Sequence, residues 1–167
     1  ARCRVVGRLG VGLDNIDVAS CEARGIRVIP ATGANALSVA EYVVGTAMVL
    51  LRGAYLSGAA VASGVWPRAA LSSGREIAGR TLGLVGFGSI GQETARLARA
   101  LGMEVVACDA VLSAGHPAFA AVGVRRADLD EVVRTADVVS LHVPLVESTR
   151  GLFSAARIAS MKAGAVL

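Results

Sequence analysis

The stretch "GRTLGLVGFGSIGQETARLARALGMEVVACDA", Gly79 to Ala110, decides the fold. Its glycines at 86, 88 and 91 follow the apolar run Thr81-Leu82-Gly83-Leu84-Val85, which has the length and character of a buried strand. From Ile90 onward apolar side chains recur at Ala95, Leu97, Ala98 and Leu101 before Gly102, the spacing of a helix that a glycine stops. Glu104-Val105-Val106-Ala107-Cys108 then reads as a second strand ending in Asp109. Strand, G-x-G-x-x-G turn, helix, strand and terminal acid, in that order, are the mark of a dinucleotide site. The chain holds 20 Gly, so the surrounding elements, rather than the glycine spacing, give the motif its weight.

Each glycine has a physical task. Gly86 permits the tight turn, Gly88 lets backbone approach a pyrophosphate, and Gly91 lets the helix pack closely on the strand. The N–H groups of Ser89 and Ile90 face the phosphates at the positive end of the helix dipole. Asp109 is expected to accept bonds from both hydroxyls of the adenosine ribose and to repel a 2′-phosphate, which favours NAD over NADP. Ala110 and Val111 bring no arginine to hold that phosphate.

Bulk properties narrow the remaining classes. A chain of 167 residues with 54% apolar residues suits one domain, or one plus part of another. Cys3, Cys21 and Cys108 form no C-x-x-C pair, so neither a disulfide framework nor a metal site is expected, and a reducing cytoplasm fits. The net charge of +4 comes from scattered arginines, with Lys162 the sole lysine and Arg125-Arg126 the one adjacent basic pair within the elements, so no nucleic-acid partner is expected. Ser38 to Gly64 is long and apolar, but Glu41 and Arg52 confine its strongly apolar part to far less than the roughly twenty residues of a membrane span. The S-x-x-E pattern at Ser38 and Glu41 predicts a capping box opening one long helix, buried in a core or an interface. No cleavable secretory signal opens the sequence.

Around this centre the chain reads as alternating strands and helices, an α/β protein with a doubly wound parallel sheet. Cys3 to Arg8 is a strand, Gly10-Val11-Gly12 a turn, Asp17 to Arg24 a helix capped by Asp17 and stopped by Gly25, and Ile26 to Ile29 a strand. Residues 63–79 are polar and irregular. A loop with His116-Pro117 leads to a brief strand near Val124, and Asp128 opens a helix with a D-x-x-E cap. Asp137 to Leu141 is a buried strand, followed by a turn at His142-Val143-Pro144, a helix near Ser154 to Met161, and the start of a strand at Ala165 to Leu167.

The whole chain resembles the NAD-dependent D-2-hydroxyacid dehydrogenases, the family of D-3-phosphoglycerate dehydrogenase. The blocks that carry the resemblance are "GRLGVGLDNID" (Gly7 to Asp17), "GANALSVAEYVVG" (Gly33 to Gly45), "GVWPR" (Gly64 to Arg68), "GREIAGRTLGLVGFGSIG" (Gly74 to Gly91) and "ADVVSLHVPLVESTRGLF" (Ala136 to Phe153). The resemblance implies that residues 1–32 end a flavodoxin-like α/β substrate domain and that residues 33–167 form a Rossmann-type NAD domain, truncated at its C-terminal end.

It further implies that Gly10, Val11 and Gly12 present backbone N–H groups to a substrate carboxylate, with Val11 also against the nicotinamide. Asn35 and Ser38 line the same cleft in that family, although both equally suit helix caps. His142, Val143, Pro144 and Thr149 lie along the cofactor, with His142 shaping the loop rather than acting as base. The family's arginine, acid and catalytic histidine are expected beyond Leu167. The expected partners are a small 2-hydroxy or 2-oxo acid and a second copy of the chain, docked through the Ser38 to Gly64 helix. Two other readings keep the cofactor features: an NAD-responsive co-repressor of the same fold, and a formate or phosphite dehydrogenase.

Overall fold

The computed structural model describes residues 2–167. Two parallel sheets are present. The smaller joins β1 (Val5–Arg8) to β2 (Arg27–Pro30) through helix α1 (Val18–Glu22). Asp17 caps α1 by accepting from the Ser20 N–H at 2.9 Å, as its position predicts. The strand is shorter than Cys3 to Arg8 and the helix shorter than Asp17 to Arg24, because after Glu22 the chain turns through Gly25 and the Ile26 N–H closes on Cys21 O at 2.9 Å.

The long-helix expectation for Ser38 to Gly64 fails. Helix α2 (Ala36–Arg52) starts two residues before Ser38 and ends at Gly53, whose φ of 70° is the left-handed turn that closes helices. A short 3₁₀ turn (Ala54–Ser57) and α3 (Gly58–Ala62) follow, bent 69° from α2. The cap sits at Asn35, whose side chain makes no capping bond, so Ser38 lies inside the first turn and the capping box does not form. No single helix among the described residues is long and apolar enough to cross a membrane. The irregular stretch 63–79 also contains one further turn of helix, α4 (Arg68–Leu71).

The larger sheet has the order β5-β4-β3-β6, all parallel, built from β3 (Thr81–Val85), β4 (Glu104–Cys108), β5 (Arg125–Arg126) and β6 (Val138–Leu141). Between them run α5 (Ser89–Ala100), α6 (Pro117–Ala121), α7 (Leu129–Thr135) and α8 (Ala155–Ala159). Helix α6 occupies what reads in sequence as a loop, with His116 as its cap. Asp128 accepts from Glu131 N–H at 2.7 Å and Ser154 from Arg157 N–H at 3.3 Å, so α7 and α8 begin where their sequences place them. The expected strand at Ala165 to Leu167 is one parallel bridge, Val138 to Val166.

Helices cover both faces of this sheet. Leu82, Leu84, Val105 and Ala107 point to one core with Val44, Ala47 and Leu51 of α2 and Ala95 and Ala98 of α5. Val85, Val106, Cys108 and Val139 point to the other, with Val132 and Ala136 beside α7. Central strands buried on both faces explain the unbroken apolar runs in the sequence. Helix α7 lies unusually close to β3: a Cβ at Gly83 would stand 2.7 Å from Val132 Cγ1 and 2.8 Å from Ala136 Cβ.

Gly83→Ala is therefore expected to cost about 1–3 kcal/mol by overpacking. Urea denaturation should show the loss, and Val132→Ala in the same chain should recover part of it. A Gly83→Ala protein as stable as wild type would mean that α7 moves away freely.

Candidate dinucleotide site

The turn from β3 into α5 is built by absent side chains. Gly86 has φ of 97°, and a Cβ there would stand 2.5 Å from the His142 carbonyl oxygen. A Cβ on Gly91 would stand 2.4 Å from the Gly86 carbonyl oxygen. The end of β6, the turn and the first turn of α5 thus meet without room for a methyl group. At Gly88 a Cβ would meet nothing within 4 Å, so its backbone faces open space.

Phe87, between the first two glycines, locks the turn in place. Its ring is fully buried and stacks on Phe119 of α6 with centroids 4.7 Å apart. Its N–H donates to Asp109 Oδ2 at 2.7 Å, and its carbonyl accepts from Gln92 Nε2 at 2.9 Å. Gly88 caps α5 without a side chain, and the helix's first N–H to be bonded there is that of Gln92, to Gly88 O at 2.9 Å. The N–H groups of Ser89 and Ile90 remain available to an anion.

A cleft of about 760 Å³ opens at this helix end. It is lined by Val11 and Gly12, by Gly88, Ser89, Ile90 and Gly91, and by His142, Val143 and Pro144, so three segments chosen from the sequence converge. Gly10 and Asn35 do not line it; Val39 does, one helical turn beyond Asn35, as do Leu13 and Asp14, which sequence reading passed over. Arg8 folds back on the same turn, donating from Nε to Gly12 O at 3.2 Å. Leu145 and Val146 extend the wall, and both are substantially exposed, an apolar surface awaiting cover. Thr149 stands behind this wall, where its hydroxyl donates to Pro144 O at 2.5 Å and accepts from Val146 N–H at 2.9 Å.

His142 Nε2 is buried without a hydrogen-bond partner among the described residues. Burial pushes its imidazole below the ordinary histidine value, so the ring is neutral at pH 7. An orphaned buried nitrogen, an uncapped helix end and an open Gly88 are the features a pyrophosphate-bearing ligand would satisfy. The residues present fit a dinucleotide.

Asp109 closes β4 outside the lining of that cleft. Its carboxylate accepts from Phe87 N–H at 2.7 Å on Oδ2, and from Val111 N–H at 2.8 Å and Leu112 N–H at 2.9 Å on Oδ1. A carboxylate offers about four acceptor sites. The loop thus takes two acceptor sites on Oδ1 and one on Oδ2, and the remaining site on Oδ2 faces the expected ribose hydroxyls.

Burial would raise the Asp109 pKa, but the Phe87, Leu112 and Val111 N–H bonds and the Arg126 charge outweigh it and hold the group below the ordinary carboxylate value. A folded value below the unfolded one means stability that is fully present above the unfolded value and lost as pH falls through the folded one. The stability gap between wild type and Asp109→Asn should stay constant from pH 8 to about 5 and shrink only below about pH 4. Urea melts at stepped pH would test this, and a gap that closes near pH 6 would contradict it.

Residues 44–167 match the family model of the NAD binding domain of D-isomer specific 2-hydroxyacid dehydrogenases. The chain is 52% identical over 164 residues to (S)-sulfolactate dehydrogenase of Chromohalobacter salexigens, covering 98% of this chain and 52% of that protein. It is 40% identical to hydroxypyruvate reductase of Thermotoga maritima, again over 98% of this chain and 52% of the relative. The structure of D-lactate dehydrogenase from Aquifex aeolicus complexed with NAD and lactic acid superposes with a TM-score of 0.85 at 30% identity, covering 96% of this chain and 47% of that one. The chain thus spans about half the length of the curated relatives it matches. It belongs to the D-isomer specific 2-hydroxyacid dehydrogenases, and residues 44–167 are their NAD-binding domain.

Proposed function

We propose that the full-length protein transfers a hydride between NAD and C2 of a small 2-hydroxy or 2-oxo acid. The observation that carries this reading is the convergence of the Val11 to Asp14 turn, the N-terminus of α5 and the Leu141 to Val146 loop on one cleft. A reacting acid and a dinucleotide need such a shared space, because hydride transfer requires both in one geometry. NAD, when bound, supplies the two-electron acceptor or donor; the protein supplies binding, orientation and electrostatics.

The roles then divide by position. The free N–H groups of Ser89 and Ile90 hold the pyrophosphate, with the positive end of α5 behind them. Asp109 accepts one ribose hydroxyl. Val11 and Gly12 offer backbone to the substrate side, and His142, Val143 and Pro144 form the opposite wall. Residues 1–32 belong to a substrate domain, which their separate two-stranded sheet supports. The arginine, acid and proton-exchanging histidine come from sequence outside this chain. The 52% identity to a sulfolactate dehydrogenase favours three-carbon acids bearing a second anionic group.

A second copy of the chain is the proposed partner. Tyr42 on α2, Tyr55 and Leu56 in the 3₁₀ turn that follows it, and Trp66 after α3 are each at least 67% exposed. The opposite face of α2 is buried through Ala40, Val44, Ala47 and Leu51, so the helix is apolar on both sides. An exposed apolar patch of this kind marks an interaction surface.

The full-length protein should oxidise NADH with at least one of pyruvate, hydroxypyruvate and 3-sulfopyruvate, followed at 340 nm; no turnover with any small 2-oxo acid would refute the assignment. His142→Ala should keep most of the catalytic rate and weaken NAD by about tenfold or less, the value of one hydrogen bond. A loss of several powers of ten in the chemical step would make His142 the proton-exchanging group instead. Light scattering should give a dimer at micromolar concentration, and Trp66→Asp with Tyr55→Asp should shift it to monomer; a wild-type monomer with full activity would end the dimer proposal.

A further inference from the structure

Phe87 has a glycine on each side: Gly86, with φ of 97°, and Gly88, where a Cβ would meet nothing within 4 Å. Glycine restricts the backbone least of all residues, so neither neighbour holds the Phe87 peptide in one orientation. That orientation decides two contacts. The Phe87 N–H meets Asp109 Oδ2 at 2.7 Å, and one residue further on Gly88 sets the direction in which α5 and the N–H groups of Ser89 and Ile90 start. The brake on this segment is the Phe87 side chain.

Its ring lies parallel to that of Phe119, with 4° between the planes and centroids 4.7 Å apart, an offset stack. Phe119 is itself fixed. It is buried, and its carbonyl accepts from Val124 N–H at 2.8 Å across the left-handed Gly123, just before β5. Pro117 stands in the first turn of α6, where His116 Nδ1 accepts from Ala118 N–H at 3.3 Å. The other end of the segment is held at Asp109, whose Oδ1 takes the Val111 and Leu112 N–H groups. Residues 109–119 therefore grip Phe87 twice, by the Asp109 carboxylate on its backbone and by the Phe119 ring on its side chain. No residue of α6 lines the cleft.

We infer that Phe119 is a positioning residue for the adenosine and pyrophosphate half of the dinucleotide. The inference rests on the proposed reading that this half binds between Asp109 and the start of α5. Phe119 stays clear of the ligand and acts through Phe87. With the rings stacked, the open acceptor site on Asp109 and the N–H groups of Ser89 and Ile90 keep one mutual geometry, and a ligand that spans both binds without first ordering the turn. Without the stack the Phe87 peptide turns between its two glycines, its bond to Asp109 opens part of the time, and the ligand must supply the order. The nicotinamide and acid side is built from other segments, Val11 to Asp14 and Leu141 to Val146, so the effect belongs to cofactor affinity rather than to the chemical step.

The test uses the full-length protein with Phe119→Leu, which keeps apolar bulk and loses the flat face, and Phe119→Tyr, which keeps the face. In calorimetry, corrected for any unfolded fraction, Phe119→Leu should weaken NAD and 5′-ADP alike by about fivefold, the value of an aromatic pair beyond its burial. KM for NAD should rise by the same factor, with kcat and the KM of the acid moving far less, and Phe119→Tyr should restore most of the affinity. Hydrogen exchange in Phe119→Leu should quicken at residues 86–90 and stay unchanged at 138–141. A Phe119→Leu protein that is less stable yet binds NAD as wild type does makes the residue purely structural and overturns the inference. A fall in kcat as large as the rise in KM, or a Phe119→Tyr protein as weak as Phe119→Leu, overturns it too. Failure of wild type to bind NAD defeats the dinucleotide reading itself, whereas wild-type binding with no change in Phe119→Leu defeats only the role given to Phe119. Where Phe119→Leu does not fold, Phe119→Met fills the same space without a ring and is read in its place.

Discussion

Three backbone segments meet in this structure at distances that exclude a side chain. The carbonyl of Gly86 lies where a Cβ of Gly91 would be, and the carbonyl of His142 lies where a Cβ of Gly86 would be. Helix α5 can therefore start directly over β3, with its unbonded N–H groups aimed past the end of the sheet. One added methyl would lift the helix from the turn or push β6 aside, and either movement would re-aim those groups. The cleft takes its position from that contact rather than from the residues that line it.

A turn so closely packed also has to be stiff, and Phe87 makes it so. Its ring is held by Phe119, its N–H by Asp109 and its carbonyl by Gln92. Four elements, β3, β4, α5 and α6, are thereby tied to one residue. A binding loop fixed before its ligand arrives loses little conformational entropy on binding. Asp109 has a structural duty here, holding the Phe87 N–H, beside the ribose contact proposed for it.

Much of this was legible in the sequence because the signals are local. Asp17 and Asp128 cap their helices as their positions announce, α8 opens at Ser154 as read, and the strand, glycine turn, helix and acid of Gly79 to Ala110 fold in the order read. The illegible parts are those decided across the chain. Gly53 sits in an apolar run that reads as one helix, and what ends α2 there includes the docking of Gly74 against the Arg52 carbonyl. Nothing near Phe87 in sequence announces Phe119, and helix α6 is short enough to read as loop. The three N–H bonds to Asp109 depend on how the turn after β4 curls back. Val39 replaced Asn35 in the cleft because α2 begins before the apparent capping box.

The order of strands carries a kinetic consequence. Strand β6 pairs with β3, and the Thr81 N–H closes on Asp137 Oδ2, 56 residues away, while β4 and β5 fold between them on the other side. Contacts at such separation form late, since loop closure must precede them. The cleft needs β6 in place, because the Leu141 to Val146 loop is one of its walls. The cleft is thus complete only when β6 has paired with β3, and a ligand held there acts as a clasp on that side of the sheet. Opening of that side becomes rarer whenever the clasp is shut, because a ligand bound only to the closed sheet stabilises it.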